Sequence, residues 1–159
     1  MVDIGLFAIF FSACAAAGAT GSFFPPGPWY RTLSKPQWTP PDWVFPLAWT
    51  YLYFALAYAG ARVAPMEEAG FAMAFWALQI TLNTLWSPVF FGLQRLGSSL
   101  VIVGLLWGAV LGLLISLWSL DKIAFWVVSP YILWVTIATA LNFAIWRRIQ
   151  TETSAAPTE

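Results

Sequence analysis

Apolar residues run along this chain in five long blocks, approximately 4–24, 43–61, 69–91, 96–120 and 123–146, and every Asp, Glu, Lys and Arg falls outside a block or at its end. Each block holds roughly 19 to 25 residues, which at about 1.5 Å per helical residue is enough to cross a hydrocarbon core of roughly 30 Å. Charge inside a bilayer is costly, so this exclusion of ionisable residues is what spanning helices require. The pattern predicts an all-α membrane protein built as a five transmembrane helix bundle over 1–150. The breaks between blocks are short and polar: Arg62 to Gly70, Gln94 to Gly97, and Asp121 with Lys122. Short links force consecutive helices to run antiparallel and side by side, leaving 25–41 as the one long loop. The last stretch, 151–159, rich in Thr, Ala and Glu, reads as a disordered tail.

Composition sharpens this picture. With 60% hydrophobic and 9% charged residues, the chain lies far from the roughly 45–50% apolar and about 25% charged content of soluble domains. Seven Lys plus Arg balance seven Asp plus Glu, so no basic field exists to attract nucleic acid. Histidine is absent and Cys14 stands alone, which removes the usual zinc site, the usual general base and an intrachain disulfide, and no cofactor is required. The first block is not a secretory signal, because only Asp3 precedes it and no basic n-region is present. Arg31, Lys35, Arg95, Arg147 and Arg148 lie on one side of the bundle, against Arg62 and Lys122 on the other. The positive-inside rule therefore places the N-terminus outside and the C-terminus in the cytoplasm. Gly104, Gly108 and Gly112, continued by Ser116, form a small-residue ridge for close helix approach, assigned here to packing within the bundle rather than across a dimer.

Residues 36–54, PQWTPPDWVFPLAWTYLYF, crowd tryptophans, prolines and tyrosines at the mouth of the second block. Rigid rings and helix-disrupting prolines at one end of a span are suited to holding something flat and apolar. Thr39 with Asp42 reads as a capping box, with Pro40 and Pro41 in the first turn and Pro46 as a kink inside the helix. Trp38 and Trp43 sit at headgroup depth, where they serve equally as belt residues; Trp49 lies deeper, where a buried indole needs a partner or a ligand. In the third block Gln79 and Asn83 are four apart, followed by Trp86 and Pro88, so one face offers amides either to a neighbouring helix or to a ligand. In the fifth, Trp134, Ala138 and Asn142 place a ring, a gap and an amide along one stripe, suggestive of a slot. No ionisable side chain sits in mid-span, which argues against a proton- or ion-coupled transporter.

Three segments, WTPPDWVFPLAWTYLY, QITLNTLWSPVFFG and SPYILWVTIATALNFAIWR, resemble the tryptophan-rich TspO and mitochondrial translocator protein family, once called the peripheral benzodiazepine receptor. The likeness covers nearly the whole chain. It implies a five-helix fold, usually a homodimer, that binds porphyrins such as protoporphyrin, sterols and synthetic drugs. It further implies a pocket at Trp49, Asn83 and Trp134 with Tyr30 and Trp38 as a lid; Ala138 and Asn142 join it on the stripe argument. Arg31 and Lys35 would pair with propionate carboxylates. The family's sterol-recognition pattern falls on Leu141, Phe143 and Arg147, with phenylalanine in place of its central tyrosine. Some relatives degrade protoporphyrin in light and oxygen, which would make Trp49 and Trp134 redox-active; passive movement of sterol or porphyrin between leaflets is a third reading.

Overall fold

The computed structural model describes residues 2–155, and among them every regular element is helical. Five elements are long: α1 (Ile4–Phe23), α3 (Val44–Val63), α4 (Gly70–Ser87, prolonged by a π-helical turn over Pro88–Gly92), α5 (Leu96–Leu120) and α7 (Pro130–Ala155); α2 (Pro28–Thr32) and α6 (Lys122–Val128) are short. Four stretches, Ile4–Phe23, Val44–Val63, Leu96–Leu120 and Lys122–Glu152, are long and apolar enough to cross a membrane. α4 carries Gln79, Asn83 and two tryptophans, and both amides are buried inside the bundle.

Sequence connectivity does not fix the order of helices. α3 and α4, joined by a short link, pack less extensively on each other than either does on α1, although the Trp76 indole N–H of α4 reaches the Leu56 carbonyl of α3 at 3.0 Å; α5 packs on α4 and α7 on α5, while α6 closes the ring against α3. Sequential helices are therefore not always the most closely packed pair. Ala55, Ala57, Ala59 and Ala61 of α3 are all buried, and Cys14 and Ala17 of α1 likewise. The core runs through Leu56, Val110, Leu113, Tyr131 and Val135. At the end remote from the first loop, the Arg62 guanidinium pairs with Asp121 at 2.6 Å, and Asp121 also caps α6 by accepting from the Ala124 N–H at 2.9 Å. That clasp ties the end of α3 to the α5–α6 corner.

Several local expectations are corrected. Thr39 does not cap α3: its hydroxyl donates to the Pro36 carbonyl at 2.6 Å, and Trp43 occupies the N-cap with no side-chain bond. Pro40 and Pro41 lie ahead of the helix. Pro46 falls in its first turn, where the missing N–H would have had no intrahelical acceptor, so no kink is needed. Pro88, by contrast, ends the α-helical ladder of α4 and starts the π turn, closed by the Leu93 N–H to the Pro88 carbonyl at 2.8 Å. The residues from 151 do not leave the helix: α7 continues to Ala155, and 156–159 lie outside the described residues. The glycine ridge divides. A Cβ on Gly112 would lie 2.5 Å from Phe75 of α4, so this glycine serves packing within the bundle, whereas Gly104 and Gly108 face open space.

Candidate functional site

A cavity of about 520 Å³ opens beneath the first loop, between α1, α3, α7 and the π turn that ends α4. This is within the range of roughly 300–1,000 Å³ usual for small-molecule sites. Helical spacing builds its walls. Phe45, Trp49 and Tyr53 are four apart on α3 and share one face, and the Trp49 and Tyr53 rings stack at 5.4 Å. On the opposite side Trp86 and Phe90, again four apart, stack at 4.8 Å. The π turn aims Phe90 and Phe91 at the first loop, where Tyr30 meets them edge-on at 6.0 and 5.3 Å. α1 contributes the flat side: a Cβ on Gly18 would come within 2.9 Å of the Tyr53 ring, so only glycine lets that ring lie against the helix.

The cavity floor is a buried hydrogen-bond relay. Asn83 Nδ2 donates to the Tyr131 hydroxyl at 3.1 Å, and that hydroxyl donates to Gln79 Oε1 at 3.1 Å. Tyr131 and Gln79 are wholly buried, while Asn83 is 6% exposed and lines the cavity. Nearby, Asn142 Nδ2 donates to Ser99 Oγ at 3.1 Å, which locks α7 to α5. Among the described residues two buried side-chain donors have no acceptor, Gln79 Nε2 and Trp86 Nε1. Such orphans are rare and costly in native interiors, and that of Trp86 belongs to the cavity wall.

Charge is concentrated at the mouth, where Arg31, Lys35 and Asp42 all border the cavity. Among the described residues neither cation forms an ion pair; Lys35 instead sits over the Tyr30 ring, 4.3 Å from its centroid. Burial, and secondarily the Asp42 carboxylate, push the Tyr30 phenol above its ordinary range. The site is thus apolar and aromatic within, with an excess of positive charge at the rim.

Of the residues singled out from sequence, the structure brings Tyr30, Trp49, Asn83, Ala138, Leu141 and Asn142 to one cavity. Trp38 is not in its wall and is 53% exposed. Trp134 stands one layer back, its edge against Phe45 at 5.3 Å, so it supports the wall without lining it. Phe143 and Arg147 are exposed on the face of α7 turned away from Leu141, so the three sterol-pattern positions share no surface. Tyr53, Tyr131 and Phe90 were not singled out, and Asp42 was read only as part of a helix cap. The four-residue spacing of Phe45, Trp49 and Tyr53 held the signal for Tyr53; nothing in the sequence shows that Tyr131 meets Asn83 across the bundle.

The TspO/MBR family model matches residues 10–147. The chain is 47% identical over 150 residues to the protein CrtK of Rhodobacter capsulatus, covering 92% of this chain and 94% of the relative. It is 46% identical over 146 residues to the tryptophan-rich sensory protein of Cereibacter sphaeroides, covering 92% of each. The translocator protein of Homo sapiens is 34% identical over 125 residues, covering 75% of this chain and 73% of that one.

Proposed function

The chain belongs to the TspO/MBR family, and from that premise we propose that this integral membrane protein is a receptor for a planar, apolar small molecule with an anionic edge, protoporphyrin foremost. The observation that carries the reading is the aromatic-walled cavity of about 520 Å³ whose rim holds two cations that form no ion pair among the described residues. Stacked ring pairs on facing walls favour a flat ligand face, Arg31 and Lys35 favour carboxylates, and the Asn83 amide offers a donor within. The wall contains no histidine, cysteine or methionine, and contacts to ring faces and edges would hold a metal-free ring without an axial bond.

The same proposal includes five crossings. α4 turns Gln79 and Asn83 inward and exposes Phe71, Leu78 and Leu85, the distribution expected of a spanning helix with a polar seam. By the positive-inside count the mouth faces the cytoplasm. Sterol contact at Phe143 and Arg147 would occur on the outer surface, apart from the cavity. The homodimer implied by the resemblance is part of the proposal, with the open Gly104–Gly108 ridge as an available face.

Intrinsic tryptophan fluorescence titrated with protoporphyrin tests the reading. Saturable quenching is expected, and replacing both Arg31 and Lys35 by alanine should weaken binding roughly tenfold, about 0.7 kcal/mol per lost charge. Quenching that never saturates, or affinity unchanged in the double variant, rejects it.

A further inference from the structure

α7 is longer than a bilayer requires. Its 26 residues, Pro130–Ala155, extend about 39 Å at 1.5 Å per residue, beyond a hydrocarbon core of roughly 30 Å. The surplus turns meet the first loop. The Arg148 guanidinium donates to the backbone carbonyls of Lys35 at 3.2 Å and Ser34 at 3.4 Å, and the Ser34 hydroxyl donates to Glu152 Oε1 at 3.2 Å. Arg148 and Glu152 are one turn apart on the same face of α7, so they grip two adjacent loop residues from one side. We infer that this end of α7 is a latch that holds the first loop as a lid over the cavity, with Arg148 and Glu152 as positioning residues that act through Lys35.

The lid has few other polar ties, although Pro36 is buried and Leu33 packs against the cluster around Tyr30 and Phe90. Between α2 and α3 it contains Pro36, Pro40 and Pro41, which donate no backbone hydrogen bond. Its own backbone bonds in this stretch are local, Thr39 to Pro36 and Val44 to Pro41. On the α2 side it is anchored by buried Tyr30 against Phe90 and Phe91. The latch secures the other side, at the residue that places a cation on the cavity rim. All three latch contacts are exposed to solvent, where exchange with water makes each weak. A weak, multidentate tie suits a lid that must open for a ligand to pass.

This inference rests on the reading of the cavity as a ligand site, yet its first test needs no ligand. In amide hydrogen exchange on the full chain in lipid nanodiscs, Arg148→Ala should speed exchange in 28–43 roughly three- to tenfold and leave α4 and α5 unchanged. Ser34→Ala, on the exposed loop, should do the same to a smaller extent and guards against misfolding of the first variant. Unchanged exchange in 28–43 in Ser34→Ala and in a folded Arg148→Ala overturns the latch. With protoporphyrin as the probe in stopped-flow quenching, Arg148→Ala should raise both the association and the dissociation rate, and Arg148→Lys should restore part of the difference. Rates identical to the wild type count against the latch, whereas failure of the wild type to bind protoporphyrin rejects the ligand and leaves the exchange measurement decisive for the lid.

Discussion

Replacing Tyr131 by phenylalanine removes one oxygen from a site that is completely buried and breaks the relay at its centre. Two hydrogen bonds are lost together, from Asn83 and to Gln79. Hydrogen bonds between membrane helices average about 0.6 kcal/mol and reach about 1.7, so the pair gives an expected loss of about 1 kcal/mol with a ceiling near about 3. The upper part of that range is favoured because Gln79 Nε2 already lacks an acceptor among the described residues, and the substitution leaves the same amide with its oxygen unpaired as well. Ligand binding should respond differently from stability. Asn83 lines the cavity and at present commits a donor to Tyr131; once released, that donor can turn to a ligand. Tyr131→Phe is therefore expected to lower unfolding free energy in mixed detergent titrations by about 1–3 kcal/mol while protoporphyrin affinity holds or rises. Asn83→Ala should lower both. A Tyr131→Phe protein as stable as the wild type, or one whose affinity falls in step with Asn83→Ala, refutes the relay as described.

Two further outcomes test other parts of the structure. Burial alone would raise the Asp121 carboxyl, but the Ala124 N–H and the Arg62 guanidinium together outweigh it and hold the group below the ordinary carboxylate range. A depressed pKa contributes stability above the unfolded value of about 3.9 and loses it as pH falls through that value toward the folded one. The wild type should thus lose about 1–2 kcal/mol on acidification below about pH 4, and Asp121→Asn should show a flatter profile in the same unfolding titration; parallel profiles would disprove the clasp. Trp38, exposed and outside the cavity wall, is expected to tolerate alanine with less than a twofold change in protoporphyrin affinity, and a tenfold loss would show that the lid closes further around ligand than the structure describes.

Fold and site were legible to different depths. Residues that act through their own helix were visible in part: Trp49 as a deep indole, Gln79 and Asn83 as amides on an apolar face, Ala138 and Asn142 along one stripe, whereas Phe45 and Tyr53, at the same four-residue spacing as Trp49, were passed over. Periodicity follows from the 3.6-residue turn and needs no partner. It cannot show which face a neighbour covers, and so Trp134 and Ala138, four apart on one stripe, separate in the structure, the first supporting the wall and the second lining it. Trp38 and Trp49 likewise belong to one aromatic-rich segment yet lie respectively outside the cavity and in its wall. Local chemistry misled where two bonding patterns compete: the Thr39 hydroxyl satisfies a carbonyl behind it rather than an amide ahead, a choice open to every short polar side chain.

Hydropathy by itself determined that the chain is a membrane-embedded helical protein, because transfer of apolar segments and exclusion of charge depend on composition and length alone. Tertiary structure decided that α3 and α4 each pack more extensively on α1 than on each other, that Tyr131 bridges two amides, and that Arg148 reaches the loop at Ser34 and Lys35, residues more than a hundred positions away. Those contacts arise from side-chain volumes fitted across helices, a property of pairs of surfaces that no single stretch of sequence contains.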